Sequence, residues 1–461
     1  MRSLEAVSKV IKAYDIRGIV DEDIDSDFIE EVGAAFGYLM RQEGVKKIAV
    51  GHDMRPSSAP LSQVFAKGVN SQGLDVLYLG LTSTDQLYYV SGVQDCPGAM
   101  FTASHNPAQY NGIKLCRAGA KPVGQETGLG DIITMLVEGI PEYSGATGVI
   151  EEKDSLHDYG AFLRELVDLS AIRPLKVAVD AANGMAGHTV PEVFAGLPIE
   201  VEPLYFELDG TFPNHEANPL DPKNLVDLQE FTQKVGADIG LAFDGDADRC
   251  FVVDEKGQPV SPSAICAIVA ERYLTQYPGA TIIHNLITSR AVPEVIQEHG
   301  GQAVRTRVGH SFIKAEMART GAVFGGEHSA HYYFTDFFNA DSGILAAMHV
   351  LAALGGQQLP LSEMMAQYNR YAASGEINSR LDSVAQQQQR TQAVLEAFAQ
   401  RSASVDELDG ITVTLKDSPA WFNVRASNTE PLLRLNVEAP TPGEVDELVQ
   451  EILGIIRQES N

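Results

Sequence analysis

Three segments, each more than 100 residues from the next, read alike: an apolar, β-branched run that stops abruptly in small and polar residues. They are Lys47–Asp53 (KIAVGHD), Lys176–Asp180 (KVAVD) followed by Ala-Ala-Asn-Gly, and Thr281–Leu286 (TIIHNL) followed by Ile-Thr-Ser-Arg. A short apolar run ending in a polar loop and followed by helical periodicity is the signature of a buried strand in an α/β unit. Such a chain builds sheets with a parallel core, and it places its polar groups at the strand ends, where these sheets collect ligands. The repetition predicts related α/β domains, although independent ones would look much the same.

At 461 residues the chain is long enough for three or four domains of about 100–200 residues each. Seams rich in turn residues fall at 141–148, at 255–262 and between Gly355 and Gly375. They divide the chain into 1–146, 147–256, 257–369 and 370–461. The last segment differs in character. Gln386–Gln389 suggests an exposed, solvated helix face, and Ile411–Leu415 and Leu432–Val437 read as a strand pair. Thr441, Pro442 and Glu444 form a capping signature for a final helix whose Val445, Leu448, Val449, Ile452 and Ile456 share one face.

The net charge of −28 removes any general attraction to nucleic acid or to anionic lipid, so a phosphorylated ligand would need cations gathered locally. No run approaches the ~20 apolar residues of a membrane span. The opening Met1–Lys12 does not read as a signal peptide, and Cys96, Cys116, Cys250 and Cys266 form no Cys-x-x-Cys pair. These features point to reduced thiols and a cytoplasmic protein.

The densest chemistry is Asp244-Gly245-Asp246-Ala247-Asp248-Arg249, set between the apolar runs Ile239–Phe243 and Cys250–Val253. Three carboxylates in one tight loop repel unless a cation lies among them, and oxygen-only ligands select a hard divalent ion. A helix–loop–helix calcium site is the rival reading, with Glu255 at its twelfth position. It fails at Arg249, which stands where that loop needs glycine, and on flanks that read as strands. A second loop, Ser104-His105-Asn106-Pro107, follows the short run Met100–Ala103 and leads into Asn111-Gly112-Ile113-Lys114. No serine has the Gly-x-Ser-x-Gly setting of many serine hydrolases. A strand-end hydroxyl beside a hard cation suits carrying phosphate.

Together, Thr102–Pro107 and Asp244–Arg249 resemble the signature loops of the α-D-phosphohexomutase family. Gly326-Glu327-His328-Ser329-Ala330-His331 is similar to that family's sugar loop, and Arg425–Pro431 to its phosphate loop. The opening Ala13–Gly18 and the segment Val308–Lys314 resemble the phosphomannomutase/phosphoglucomutase branch; the glucosamine branch usually begins Gly-Thr-Asp-Gly-Ile-Arg-Gly. The resemblance implies four domains around a central cleft: three similar α/β domains with mixed sheets and a smaller C-terminal α+β domain. It implies a cytoplasmic, monomeric or dimeric enzyme that interconverts hexose 1-phosphate and hexose 6-phosphate, of mannose or glucose. The route runs through phosphoserine and a hexose 1,6-bisphosphate, with Mg²⁺. Phosphoglucosamine mutase, a sugar-phosphate phosphatase and a non-catalytic hexose-phosphate binder are the alternatives.

By the same resemblance Asp244, Asp246 and Asp248 are the Mg²⁺ ligands, joined by phosphate on Ser104. Arg17 and Arg249 stand near the transferring phosphate, and Lys114 and His331 are the proton carriers. A lysine acting as base needs a lowered pKa, which nearby cations could supply. Tyr14, His310, Lys314, Glu327, Ser329, Arg425, Ser427, Asn428, Thr429 and Arg434 bind substrate, Glu327 and Ser329 through sugar hydroxyls. Two positions depart from the family pattern. Ala330 stands where glycine is usual, and Ile287 where relatives carry a lysine, leaving Arg290 as a substitute for that contact.

Overall fold

The computed structural model describes residues 2–427 and 432–458, with the backbone but not the side chains of residues 310 and 311. Its strands form four sheets, one per domain. The first three share a plan: a parallel core that ends on an antiparallel strand. In the first sheet, Lys47–His52 lies between its parallel partners Asp75–Leu81 and Gly98–Phe101, and Gly98–Phe101 pairs antiparallel with Tyr110–Arg117. Helices Ser26–Gln42 and Ser58–Ser71 bury Phe36, Phe65 and Val69 with Ile48, Val50 and Phe101 on one face, and helix Thr84–Val93 covers the other with Leu87 and Val90. Ile150–Glu152 adds a last parallel strand to this sheet, so residues just past the expected seam at 146 still belong to it.

In the second sheet Ile239–Phe243 runs parallel to Leu175–Asp180 and antiparallel to Cys250–Asp254. In the third, Phe324–Gly326 runs parallel to Thr281–Asn285 and antiparallel to Tyr332–Phe334. The serine loop, the acidic loop and the Glu327–His331 loop therefore occupy one topological position in three sheets: the link from the final parallel strand to the antiparallel one. Each contains a non-glycine residue in the left-handed region: Ser104 at φ +48°, Ala247 at +62° and Ala330 at +65°. Position 330 is thus a backbone position suited to glycine, and alanine there costs about 1 kcal/mol. The second and third domains share one continuous core, to which helix Gly343–Gly355 contributes nearly all its length.

The fourth sheet is antiparallel, in the order Ala372–Arg380, Leu432–Ala439, Trp421–Ala426, Ile411–Leu415, Ser402–Asp406. Ile411–Leu415 and Leu432–Val437 do not pair, because Trp421–Ala426 lies between them. The glutamine run also differs from expectation. Gln387 is buried in helix Val384–Phe398 and donates to the Leu432 carbonyl at 3.0 Å. The final helix, Pro442–Ile456, starts as predicted, with Thr441 Oγ1 accepting from Glu444 N at 3.3 Å. The reciprocal half of the capping box is absent, since the Glu444 carboxylate accepts from Ser418 Oγ at 2.5 Å. All four cysteines are buried thiols, and among the described residues no helix is long and apolar enough to cross a membrane.

Candidate active site

Serine and aspartates meet because the first two domains press their corresponding loops together. A Cβ on Gly245 would fall 2.4 Å from the Ser104 carbonyl oxygen, so only glycine allows this approach. Ser104, 5% exposed, donates its hydroxyl to Asp244 Oδ2 at 2.7 Å. His105 Nδ1 is farther from that hydroxyl, at 3.3 Å, and lies 2.6 Å from Arg249 Nη2. Burial, reinforced by Arg249 and Arg17, pushes His105 well below the usual histidine range. Its Nδ1 is the acceptor for a permanent cation, so it is not a general base for the serine, and the hydrolase reading loses its second member.

Two cations hold the triad: Arg249 on Asp244, and Lys114 on both Asp246 and Asp248. Asp244 is held by Arg249, whose Nε and Nη2 lie 2.9 and 2.8 Å from Oδ2. Asp246 Oδ2 accepts from Lys114 Nζ at 2.7 Å and from Thr84 Oγ1 at 2.6 Å, and Asp248 Oδ2 from Lys114 Nζ at 2.5 Å. Burial pushes Asp244 up to about 7, against the opposing pull of Arg249. Burial would raise Asp246 too, but Lys114 and Thr84 hold it well below the usual carboxylate range. Oδ1 of Asp246 and Oδ1 of Asp248 are buried without a hydrogen-bond partner. Two orphaned carboxylate oxygens among three side chains able to hold a metal fit a hard divalent cation, which would satisfy both at once. The calcium-loop alternative is excluded by Glu255, whose carboxylate is turned to Ser362 at 2.5 and 3.0 Å.

Lys114 lies between two carboxylates of the second domain. Burial lowers its pKa, but Asp246 and Asp248 outweigh that and raise it well above the ordinary lysine value. In this arrangement it is an ammonium bridging two carboxylates.

A cavity of about 170 Å³ opens in front of this cluster, lined by Tyr14, Arg17, Ser104, His105, Lys114, Asp248, Arg249, His331 and Asp341. Arg17 reaches Asn106 Oδ1 and Asp15 Oδ2, both at 2.6 Å, and so ties the first strand to the serine loop. His331 sits between domains: Nδ1 is 3.1 Å from Ser329 Oγ and Nε2 is 3.9 Å from Asp248 Oδ1. Glu327 stands behind this wall. It is 2% exposed and accepts from Tyr333 OH at 2.7 Å, Gly309 N at 3.1 Å and Asn285 Nδ2 at 3.2 Å, so it braces the loop that leads to His310. Lys314 pairs with buried Asp341 at 2.8 Å, and its ammonium lies 4.6 Å from the Tyr88 ring centroid.

In the fourth domain Arg425 Nη2 donates to Glu376 Oε2 at 2.7 Å, and Arg434 Nε is 3.6 Å from Glu376 Oε1. Arg434 also reaches Ser427 Oγ at 3.4 Å, so it faces the loop and not solvent alone. Asn428, Thr429 and the side chain of His310 lie outside the described residues. Arg290 is committed elsewhere: its side chain binds Glu294 at 3.1 Å and the Pro419 carbonyl at 3.2 Å, and its N–H donates to Glu438. It fastens the third domain to the fourth. In the same seam a cavity of about 190 Å³ is lined by Ile287, His328 and Trp421.

Sequence reasoning missed the residues beneath the loops. Asp85, fully buried, accepts from Ser83 Oγ at 2.5 Å, from Tyr159 OH of the second domain at 2.6 Å and from Ser342 Oγ of the third at 2.6 Å. Its neighbour Thr84 holds Asp246. Nothing in Ser-Thr-Asp marks this three-domain junction; its partners lie 74 and 257 residues away. Burial raises Asp85 to about 6. The folded chain therefore holds a proton more tightly than the unfolded chain, and stability from this group falls as pH rises from about 4 to about 6. Measured against Asp85→Asn, wild type is expected to lose up to about 3 kcal/mol of relative stability across that window. Paired denaturant titrations at pH 4 and pH 7 check this, and a pH-independent difference contradicts it.

The arrangement matches known proteins along the whole chain. Residues 8–138, 157–257, 261–371 and 376–455 match the four families described as phosphoglucomutase/phosphomannomutase alpha/beta/alpha domains I, II and III and C-terminal domain. A phosphomannomutase of Salmonella montevideo is 40% identical over 443 residues, covering 93% of this chain and 94% of its own. One from Escherichia coli is 38% identical over 441 residues, with the same coverage. The crystal structure of a phosphoglucomutase/phosphomannomutase family protein from Burkholderia thailandensis superposes with a TM-score of 0.88 at 29% identity, covering 100% of this chain and 99% of that one. With four domain families in order on the fold and the loops described above, the chain belongs to the phosphoglucomutase/phosphomannomutase family.

Proposed function

We propose that this protein is a phosphohexomutase that interconverts the 1- and 6-phosphates of mannose or glucose, with Ser104 as phosphoryl carrier and a hexose 1,6-bisphosphate as intermediate. The observation that carries this reading is the Ser104 hydroxyl 2.7 Å from Asp244, inside a loop whose two other aspartates have orphaned oxygens. Mg²⁺ held by Asp244, Asp246 and Asp248 would neutralise charge on the phosphoryl group. Arg249 and Arg17 supply fixed positive charge on the cleft wall. As the phosphoryl group leaves Ser104 Oγ for a sugar hydroxyl, that hydroxyl gives up its proton. His331 suits its acceptance better than Lys114, which two carboxylates keep protonated. O3 and O4 have the same configuration in mannose and glucose, so a grip on them by the Glu327–His331 loop fits both sugars and both orientations of each.

Arg425, Ser427 and Arg434 are the reading's phosphate clamp, together with Asn428, Thr429, His310 and Lys314. Arg425 is buried, and its Nε has no hydrogen-bond partner, which fits an anion arriving beside Glu376. Arg425→Ala is expected to raise KM for glucose 1-phosphate and lower kcat/KM by about 10²-fold, the loss of one buried charged hydrogen bond of roughly 2–3 kcal/mol. Steady-state kinetics check it, and wild-type kcat/KM in the variant removes the fourth domain from substrate binding.

The deciding experiment incubates the protein with glucose 1-phosphate, Mg²⁺ and a trace of bisphosphate, and compares glucose 6-phosphate formed with free phosphate released. Glucose 6-phosphate without matching phosphate is the expected outcome. Stoichiometric phosphate would make the protein a phosphatase, and no turnover a binding protein. Parallel kcat/KM values for the 1-phosphates of mannose, glucose and N-acetylglucosamine then rank the sugars.

A further inference from the structure

The first of the three sequence repeats ends in His52-Asp53 and runs on into Met54-Arg55, and the reaction proposed above assigns none of these residues a task. Arg55 is 2% exposed and does not line the cleft. Its guanidinium donates to four backbone carbonyls, all in the segment that presents the serine. Nη2 reaches Ser104 O at 3.0 Å and Asn106 O at 2.7 Å; Nη1 reaches Pro107 O at 2.8 Å and Tyr110 O at 3.0 Å. Nε lies 3.3 Å from Asp53 Oδ2, and the other oxygen of Asp53 accepts from Ser58 Oγ at 2.6 Å and Arg55 N at 3.0 Å. The second domain seals the group from behind. The Phe212 ring centroid is 5.0 Å from the guanidinium carbon, and a Cβ on Gly210 would fall 2.5 Å from Arg55 Cα.

A planar fork with five donors can hold several carbonyls in fixed directions, and lysine cannot. What it holds here is a loop under strain. Ser104 is a non-glycine residue at φ +48°, a conformation costing roughly 1–2 kcal/mol that persists only where surroundings impose it. Asn106 is pinned from both sides, its backbone carbonyl by Arg55 and its side-chain oxygen by Arg17 at 2.6 Å.

We infer that Arg55, oriented by Asp53, is a positioning residue for phosphoryl transfer: it fixes the left-handed serine loop so that Ser104 Oγ points at the acidic loop. It touches no substrate, so its contribution belongs to the step in which the phosphoryl group changes oxygens. In that step the bond from phosphorus to the sugar oxygen breaks as the bond to Ser104 Oγ forms, and the Oγ proton ends on the sugar oxygen. Sugar and distal-phosphate binding, built by other loops, are unaffected.

The inference rests on Ser104 as phosphoryl carrier, and the test separates the two. Wild type, Arg55→Lys and Asp53→Asn are each freed of phosphate, mixed with glucose 1,6-bisphosphate and Mg²⁺, and followed by intact mass; kcat, KM and Mn²⁺ affinity are measured alongside. Arg55→Lys is expected to take up phosphate about 10²-fold more slowly, the size of effect seen when a reacting group is misplaced by about 1 Å. Its kcat falls in parallel, while KM for glucose 1-phosphate and the Mn²⁺ affinity stay within about twofold. Asp53→Asn, which keeps the carbonyl contacts but loosens the fork, is expected to lose about 10-fold in the same parameters; it decides the matter if Arg55→Lys does not fold. A folded variant that phosphorylates Ser104 at the wild-type rate overturns the inference. So does a variant whose KM rises as its kcat falls, or failure of both variants to fold. Wild type that accepts no phosphate overturns the Ser104 reading as well.

Discussion

Ser104→Ala is expected to leave a folded protein with turnover reduced by at least about 10³-fold. The hydroxyl is the only group removed, and its single strong contact is with Asp244 at 2.7 Å. Loss of a nucleophile that begins each cycle is not compensated by its neighbours. His105 is held by Arg249, and among the described residues lining the cavity at Ser104 the other hydroxyls are those of Tyr14 and Tyr88. The same variant removes a mass signature: wild type purified from cells is expected to carry a fraction with one added phosphate, and Ser104→Ala none. Intact-mass measurement and glucose 6-phosphate formation check both halves. Full activity in the variant would end the phosphoserine mechanism.

Asp244→Asn and Asp246→Asn are each expected to cost more than about 10²-fold in kcat, because a hard cation is held by charge and geometry together. The two differ in their effect on folding. Asp244→Asn relieves crowding among three carboxylates and keeps an amide oxygen as acceptor for Ser104 and Arg249. Asp246 is the partner of Lys114 and Thr84, and its replacement leaves a half-buried ammonium with Asp248 alone. Asp246→Asn is therefore the less stable of the two. Chelation is expected to stop turnover and Mg²⁺ to restore it, with Zn²⁺ a poor substitute at an all-oxygen site. Activity that survives exhaustive chelation contradicts this account, and thermal melts of the two variants rank them.

The loops that carry the chemistry were legible in the residues because crowded charge and strand-end hydroxyls need a reason to exist. The acidic loop, the serine loop and the alternation of strand and helix were all local patterns. The supports were illegible for a physical reason: they act through distance in sequence. Arg55 works on carbonyls of residues 104–110, and a backbone carbonyl leaves no trace in the amino-acid string. Asp85 joins Tyr159 and Ser342, three common residues whose meeting requires three domains to be docked. Glu327 had been read as a sugar ligand from its motif; its three internal donors, Tyr333, Asn285 and Gly309, became visible only with the third sheet assembled. The two carboxylate partners of Lys114 come from another domain and were equally invisible in the string. The missing strand, Trp421–Ala426, is polar at alternate positions and runs in sequence into the polar stretch Ser427-Asn428-Thr429, so periodicity alone did not mark it.

The seam between the third and fourth domains has an optical consequence. Trp421 is the chain's one tryptophan, and it lies in that seam with its indole N–H donating to Glu438 Oε1 at 2.8 Å, in a cavity also lined by His328. A buried indole beside a carboxylate and an imidazole has an emission set by those neighbours. Excited at a wavelength that tyrosine does not absorb, the protein's intrinsic fluorescence thus reports from a single point, and that point lies where the third and fourth domains meet. Any ligand that changes how those two domains rest on each other writes itself into the spectrum without a label, while chemistry confined to the serine loop does not.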